Sequence, residues 1–166
     1  MASWSCNLCG RCCREYRVVL KPEEWLRLVE TYGPSVAEVG HGKFYLRRKA
    51  DGSCIFLIRA GDKWLCGLQD MKPKACKLWP FKVLSWPKYG RPAEAYISYM
   101  GYPLYVYVDP FCPGLKWGEP RPEFVSTVLR EAIEIALGIR VEQEHTTSKL
   151  PEGLRLYLRA RRVRGP

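Results

Sequence analysis

With 166 residues, 47% of them apolar and 27% charged, the chain can bury a core of one domain and is neither disordered nor fibrous in composition. No apolar run approaches the length needed to cross a bilayer, and no basic segment followed by an apolar stretch precedes Cys6. The expectation is a cytoplasmic protein without a membrane segment, and its formal charge of +10 leaves a polyanionic partner open.

In chain order, Tyr16-Arg17-Val18-Val19-Leu20 reads as a short strand. Lys21-Pro22-Glu23-Glu24-Trp25 opens a helix, with proline in the first turn and two acids at the positive end of the dipole. Trp25, Leu28, Val29 and Tyr32 repeat at helical spacing, and Gly33-Pro34 ends the pattern. Val39-Gly40-His41-Gly42 reads as a loop and Lys43–Arg47 as a strand. Asp51-Gly52 signals a hairpin into Ser53–Ile58, and a turn at Ala60-Gly61-Asp62 leads to Lys63–Cys66. On this reading Cys54 and Cys66 lie on, or at the ends of, adjacent strands.

Gly67 to Lys77 reads as a turn or short helix broken at Pro73 that carries Cys76. Three further strands are expected at Lys82–Trp86, Ala93–Tyr99 and Pro103–Val108, divided by Pro87–Gly90 and Gly101–Pro103. Cys112 follows the last of them. Pro122 to Leu137 is the clearest helix, with Phe124, Val128, Leu129, Ala132, Ile133, Ile135 and Ala136 on one face and Gly138 as terminator. Gln143 to Pro151 is polar and reads as a loop. Leu154–Arg161 alternates apolar and basic residues like an edge strand, and Arg162 and Arg164 extend its charge.

The sum is an α+β fold: a small cysteine-rich metal-binding domain over residues 1–150, with short antiparallel strands and two main helices. Residues 151–166 add a basic C-terminal strand or tail.

Half of the eight cysteines fall within Cys6-Asn7-Leu8-Cys9-Gly10-Arg11-Cys12-Cys13. Two successive C-x2-C steps let a backbone curl so that three sulfurs converge, as zinc and iron–sulfur sites require. Gly10 stands where a ligand loop often needs a positive φ. Cys12 and Cys13, read as neighbours in an extended segment, are expected to point opposite ways and to serve a metal differently. Cys6, Cys9, Cys12, Cys13, Cys54, Cys66, Cys76 and Cys112 make two sets of four thiolates, enough for two zinc sites, two clusters, or one richer site. Structural disulfides are the competing use, and C-x2-C pairs in a chain without a secretory signal weigh against them.

The C-x2-C-x2-C start matches the bacterial ferredoxin pattern, which then continues as x3-C-P, whereas here Cys13 follows at once. Arg11, Arg14, Lys72, Lys74 and Lys77 stand near cysteines in sequence and offset the negative charge of a thiolate site. His41 and His145 have no partner at ligand spacing. Phosphate-binding glycine loops, G-x-S-x-G and H-E-x-x-H are missing.

Taken together, Cys6-x2-Cys9-x2-Cys12-Cys13, Asp51-Gly52-Ser53-Cys54-Ile55-Phe56-Leu57, Cys66, Lys72-Pro73-Lys74-Ala75-Cys76-Lys77-Leu78-Trp79-Pro80-Phe81 and Cys112-Pro113-Gly114 resemble the YkgJ-like cysteine-cluster family. The resemblance spans Cys6 to about Gly114. It implies a zinc- or iron-chelating, or iron–sulfur-cluster-containing, protein with all eight cysteines as ligands. The chain departs from the family pattern with Lys72 and Lys77 where arginines are usual and Gln69 where a tyrosine is common. Flagellin lysine methylases look similar in their cysteine pattern, which implies a modification enzyme as one form the chemistry takes.

The leading expectation is thus iron–sulfur, a [4Fe-4S] cluster in redox or protein-modification chemistry with an unknown redox or protein partner. The alternative is a zinc-stapled binding module, whose basic tail and tyrosines engage nucleic acid or a protein. A methyltransferase-like enzyme using a separate donor is a third, without a recognisable donor loop in the chain. No catalytic residue is assigned.

Overall fold

The computed structural model describes residues 2–148, 150, 152 and 153. The strand expected at Leu154–Arg161 and the rest of the basic tail lie outside the described residues. Its strands are β1 (Ala2–Trp4), β2 (Val19–Leu20), β3 (Ala37–Gly40), β4 (Lys43–Leu46), β5 (Leu57–Ala60), β6 (Lys63–Cys66), β7 (Phe81–Leu84), β8 (Tyr96–Tyr99), β9 (Tyr102–Val108) and β10 (Leu115–Trp117). Its α-helical segments are α1 (Arg11–Glu15), α2 (Pro22–Tyr32), α3 (Lys74–Leu78), α4 (Pro92–Ala95), α5 (Pro122–Phe124) and α6 (Arg130–Leu137). Every strand pairing is antiparallel and the sheets are small, so the fold is α+β. No helix among the described residues is long and apolar enough to cross a membrane.

The chain divides into two compact units. One comprises Leu8–Ala75 with the described residues from Ser148 onward. Its sheet runs β2-β4-β3, and β5-β6 form a separate hairpin. Helix α2 starts with proline at its first turn, and the Glu24 carboxylate accepts from the Lys21 N–H at 2.9 Å, closing the N-terminus as the acidic first turn predicts. Leu28 on its inner face is wholly buried, a burial that contributes on the order of 2 kcal/mol. Trp25 stacks on Phe44 of β4 with centroids 4.6 Å apart, so it is a core residue. Leu20, Leu28, Val36, Ala37, Leu46, Leu57 and Leu68 build the core, and Cys54 is buried among them.

Three expectations for this unit change. Val39-Gly40-His41-Gly42 is not a loop: Ala37–Gly40 is a strand, and His41 and Gly42, both with positive φ, make the two-residue turn of the β3-β4 hairpin. Such a turn matches the right-handed twist of the strands. The Asp51-Gly52 turn forms, with the Ser53 N–H and hydroxyl both donating to Asp51, yet it closes only one isolated bridge, Arg48 to Cys54. The strand that follows begins at Leu57 and pairs with β6, because β4 already has partners on both edges.

The other unit comprises the described residues up to Asn7 together with Cys76–Thr147. Its sheet runs β7-β9-β8, and β1 pairs with β10. Neither β1 nor β10 was expected, since three-residue strands carry too little pattern to read, and Cys112 therefore precedes a strand instead of following the last one. Gly114 makes that approach possible: a Cβ there would lie 2.2 Å from the Ser5 carbonyl oxygen. Ala93–Ala95 is helical, not extended, because Pro92 opens a turn at the first helical position. Trp4, Phe81, Cys112, Phe124 and Ala132 form the core of this unit.

The helix expected over Pro122–Leu137 is continuous in direction, with a π-helical turn at Val125–Leu129 between α5 and α6. Gly138 adopts the left-handed conformation, and N–H groups of Gly138 and Ile139 cap the helix carbonyls. Its buried face also holds Glu131, which is wholly inaccessible to solvent.

Candidate metal centre

Cys9, Cys12, Cys13, Cys54 and Cys66 belong to the first unit described, and Cys6, Cys76 and Cys112 to the other. All eight are thiols outside any disulfide. Leu8 and Gly10 flank Cys9 with positive φ, which curls the run before α1 begins. Gly10 caps α1 in the left-handed conformation, and a side chain there would also meet the Trp64 Cβ at 2.7 Å.

The segments carrying the five cysteines are joined by backbone hydrogen bonds. The Cys13 N–H donates to the Gly10 carbonyl at 3.0 Å, and the Cys54 N–H donates to the Cys13 carbonyl at 2.7 Å. The Leu57 N–H donates to the Cys54 carbonyl at 3.0 Å, and Leu57 stands opposite Cys66 in the β5-β6 register. The Trp64 N–H donates to the Leu8 carbonyl at 2.8 Å, closing the circuit from β6 back to the cysteine run. Cys13 and Cys66 pack against the core in which Cys54 is buried.

Cys12 and Cys13 correct the expectation of divergent neighbours. They lie in helix α1, not in an extended segment, and their sulfurs are 4.0 Å apart. The hydrogen bond they share brings the Cys12 thiol down to about 7, burial opposes that shift, and the Lys72 ammonium assists it. The same bond, burial and the nearby Cys66 and Cys54 push Cys13 upward. Burial pushes the Cys54 thiol up to about 11, with Lys49 acting in the opposite direction. Thiols of this kind resist ionising one beside another, and a cation would remove the conflict.

Among the described residues, no group of three or more His, Cys, Asp or Glu side chains is arranged so that it could hold a metal ion. The donors fit a thiophilic metal in kind, number and placement on joined backbone, while the side chains are not gathered into a coordination shell.

The three cysteines of the other unit have different surroundings. Cys6 is exposed, and Cys76 lies in α3, where its carbonyl accepts from the Thr147 hydroxyl at 2.9 Å. Cys112 is buried, and the Trp4 indole N–H donates to its sulfur at 3.2 Å.

Several basic residues stand as charge near the cysteines in sequence, and the structure gives some of them further work. The Lys72 ammonium, buried, donates to the Ser148 carbonyl at 2.9 Å. The Lys77 ammonium, also buried, donates to the Val141 carbonyl at 2.7 Å. Arg14 lies over the Trp64 ring at 3.9 Å. Gln69 donates to the Cys66 carbonyl at 2.6 Å and accepts from the Leu150 N–H at 3.1 Å. His41 sits in its hairpin turn, and His145 contributes a backbone N–H to Glu131.

Glu131 is the residue the sequence reading missed. Its carboxylate accepts from the backbone N–H groups of Glu144, His145 and Thr146 and from the Thr146 hydroxyl, all between 2.8 and 3.0 Å. Burial acts to raise its pKa, and these donors together hold it below the usual glutamate value. The available signal was an acid followed directly by Ala132 and Ile133 on the apolar face of a helix.

No curated protein and no solved structure matches the chain. The profile of the CxxCxxCC family, described as a putative zinc- or iron-chelating domain, matches residues 5–101, more than half of the chain, and the protein belongs to that family.

Proposed function

We propose that the protein binds a metal centre through its cysteines, an iron–sulfur cluster, in redox or protein-modification chemistry. The observation that carries this reading is the backbone circuit joining the segments of Cys9, Cys12, Cys13, Cys54 and Cys66 within one unit. Five thiols exceed the four that one tetrahedral ion or one [4Fe-4S] cluster takes, and the surplus suits a second site. Cys6, Cys76 and Cys112 complete the proposed ligand set of eight. A bound cluster supplies one-electron chemistry. Lys72 and Lys49 offset the negative charge of the thiolates, and burial of Cys54 beside Leu57 and Leu68 keeps water from the sulfur.

A second reading is a zinc-stapled module, favoured by the 4.0 Å between the Cys12 and Cys13 sulfurs. Two thiolates on one tetrahedral zinc, with bonds of about 2.3 Å, stand ~3.8 Å apart. There the metal contributes folding energy and no chemistry.

Purification under argon followed by metal and sulfide analysis tests both. Iron and acid-labile sulfide in stoichiometric amounts, with visible absorbance, are expected for the cluster. A colourless protein holding only zinc overturns the cluster in favour of the module. Protein free of both metals after such handling overturns the metal centre itself.

A further inference from the structure

We propose that the solvent face of the β7-β9-β8 sheet is a stacking platform for single-stranded nucleic acid. Register sorts the two faces. Phe81 opposite Val108, Val83 opposite Val106 and Ile97 opposite Leu104 take one face, and Phe81, Val106 and Val108 belong to the core of their unit. The pairs Lys82–Tyr107, Leu84–Tyr105 and Tyr96–Tyr105 take the other.

That outer face is aromatic where a solvated face is usually polar. Tyr96 meets Tyr105 edge to face with centroids 5.9 Å apart, and Tyr89 meets Tyr107 in the same way at 5.2 Å. The Tyr107 hydroxyl donates to the Gly90 carbonyl at 3.0 Å, so the loop carrying Tyr89 is held against the sheet. Tyr89 and Tyr96 are each about half exposed, at 51% and 50%, and Trp86 at 57%. Rings fixed by neighbouring rings lose little freedom when a base stacks on them.

Charge selects the ligand. The Lys82 ammonium lies 4.9 Å from the centre of the Tyr89 ring, and that of Lys88 lies 5.7 Å from it. Arg91 is ion-paired at 3.3 Å with Glu94, the one acid between Phe81 and Val108, so Lys82 and Lys88 are the cations the platform offers a phosphate. Flat rings beside cations suit a polyanion that exposes the faces of its bases. A duplex hides those faces, so the ligand is a single strand. The platform contains none of the eight cysteines and stands apart from the metal reading.

The test is fluorescence anisotropy of the full chain with labelled single strands of RNA and DNA of about twelve nucleotides, and with the matching duplex. Binding of a single strand is expected in about 50 mM salt, with a log–log salt slope of about −1.4 if two phosphates are neutralised. Tyr89→Ala with Tyr96→Ala is expected to weaken it about tenfold or more, while Tyr89→Phe with Tyr96→Phe keeps it within about twofold. Lys82→Glu is expected to flatten the slope. The proposal is overturned if neither strand binds, if the duplex binds as tightly, or if the alanine pair binds like the parent. Both tyrosines are exposed, and a thermal melt confirms that the variants fold.

Discussion

The indole N–H of Trp4 donates to the sulfur of Cys112 at 3.2 Å, and both residues are buried. A donor aimed at a sulfur that ligates a metal orients the sulfur and steadies the bond it makes. Trp4→Phe removes the N–H and leaves a ring to pack on Phe81, whose centroid lies 5.4 Å away. If Cys112 is a ligand, metal passes to a chromogenic chelator about tenfold faster in the variant than in the parent. Equal rates would show that its sulfur holds no metal.

Gly10→Ala is expected to damage the centre in two ways. Alanine costs ~1–2 kcal/mol in the left-handed conformation, and its methyl would meet Trp64. Since β6 is tied to Leu8 through the Trp64 N–H, relief of the clash separates the cysteine run from Cys66. Both the melting temperature and the metal per chain should fall. Gly61→Ala, whose added Cβ meets nothing within 4 Å, should leave the metal content unchanged.

Glu131 makes stability depend on acidity. Its folded pKa lies below the unfolded value, so its contribution is present above the unfolded value and is lost as pH falls through the folded one. Glu134, held low by Arg130 and the Tyr99 hydroxyl, adds in the same direction. Glu131→Gln places an amide among N–H donors and should cost roughly 1.5–3 kcal/mol at neutral pH. The gap between parent and variant in chemical denaturation should begin to narrow as pH falls below the unfolded glutamate value of about 4.3 and close only once pH has passed the lower folded value. A gap of constant size would show that the carboxylate charge is not what holds residues 144–146.

Gln69→Ala should loosen the chain at Ser148 and Leu150. The amide serves the carbonyls of Cys66 and Ser148 and the N–H of Leu150, all within one unit. Losing these buried bonds should cost about 2 kcal/mol. Limited proteolysis should then cut after Thr147 faster than in the parent, and Gln69→Glu, which keeps the acceptor for Leu150, should lie between the two.

Much of the local structure was legible because it obeys short-range rules. Pro22 with its acidic neighbours set the start of α2, Gly33 its end, and Gly138 the end of α6. The turn at Gly61-Asp62 was readable from the β-prone runs on either side. The C-x2-C-x2-C-C run announced thiolate chemistry, and the family match over residues 5–101 agrees with it. The conformation of that run was not legible. A C-C pair reads as extended until a left-handed Gly10 is seen to cap a helix there, turning the two sulfurs to within 4.0 Å.

Composition and spacing alone determined that this is an α+β protein rich in thiols, because turn chemistry and cysteine count are properties of neighbours along the chain. Tertiary structure alone decided that five thiols share one unit and three the other, that β1 pairs with β10, and that Glu131 is the anchor for residues 144–146. Those facts depend on contacts between segments far apart in sequence. A three-residue strand or a single buried acid has no periodicity of its own; its partner supplies the free energy that fixes it.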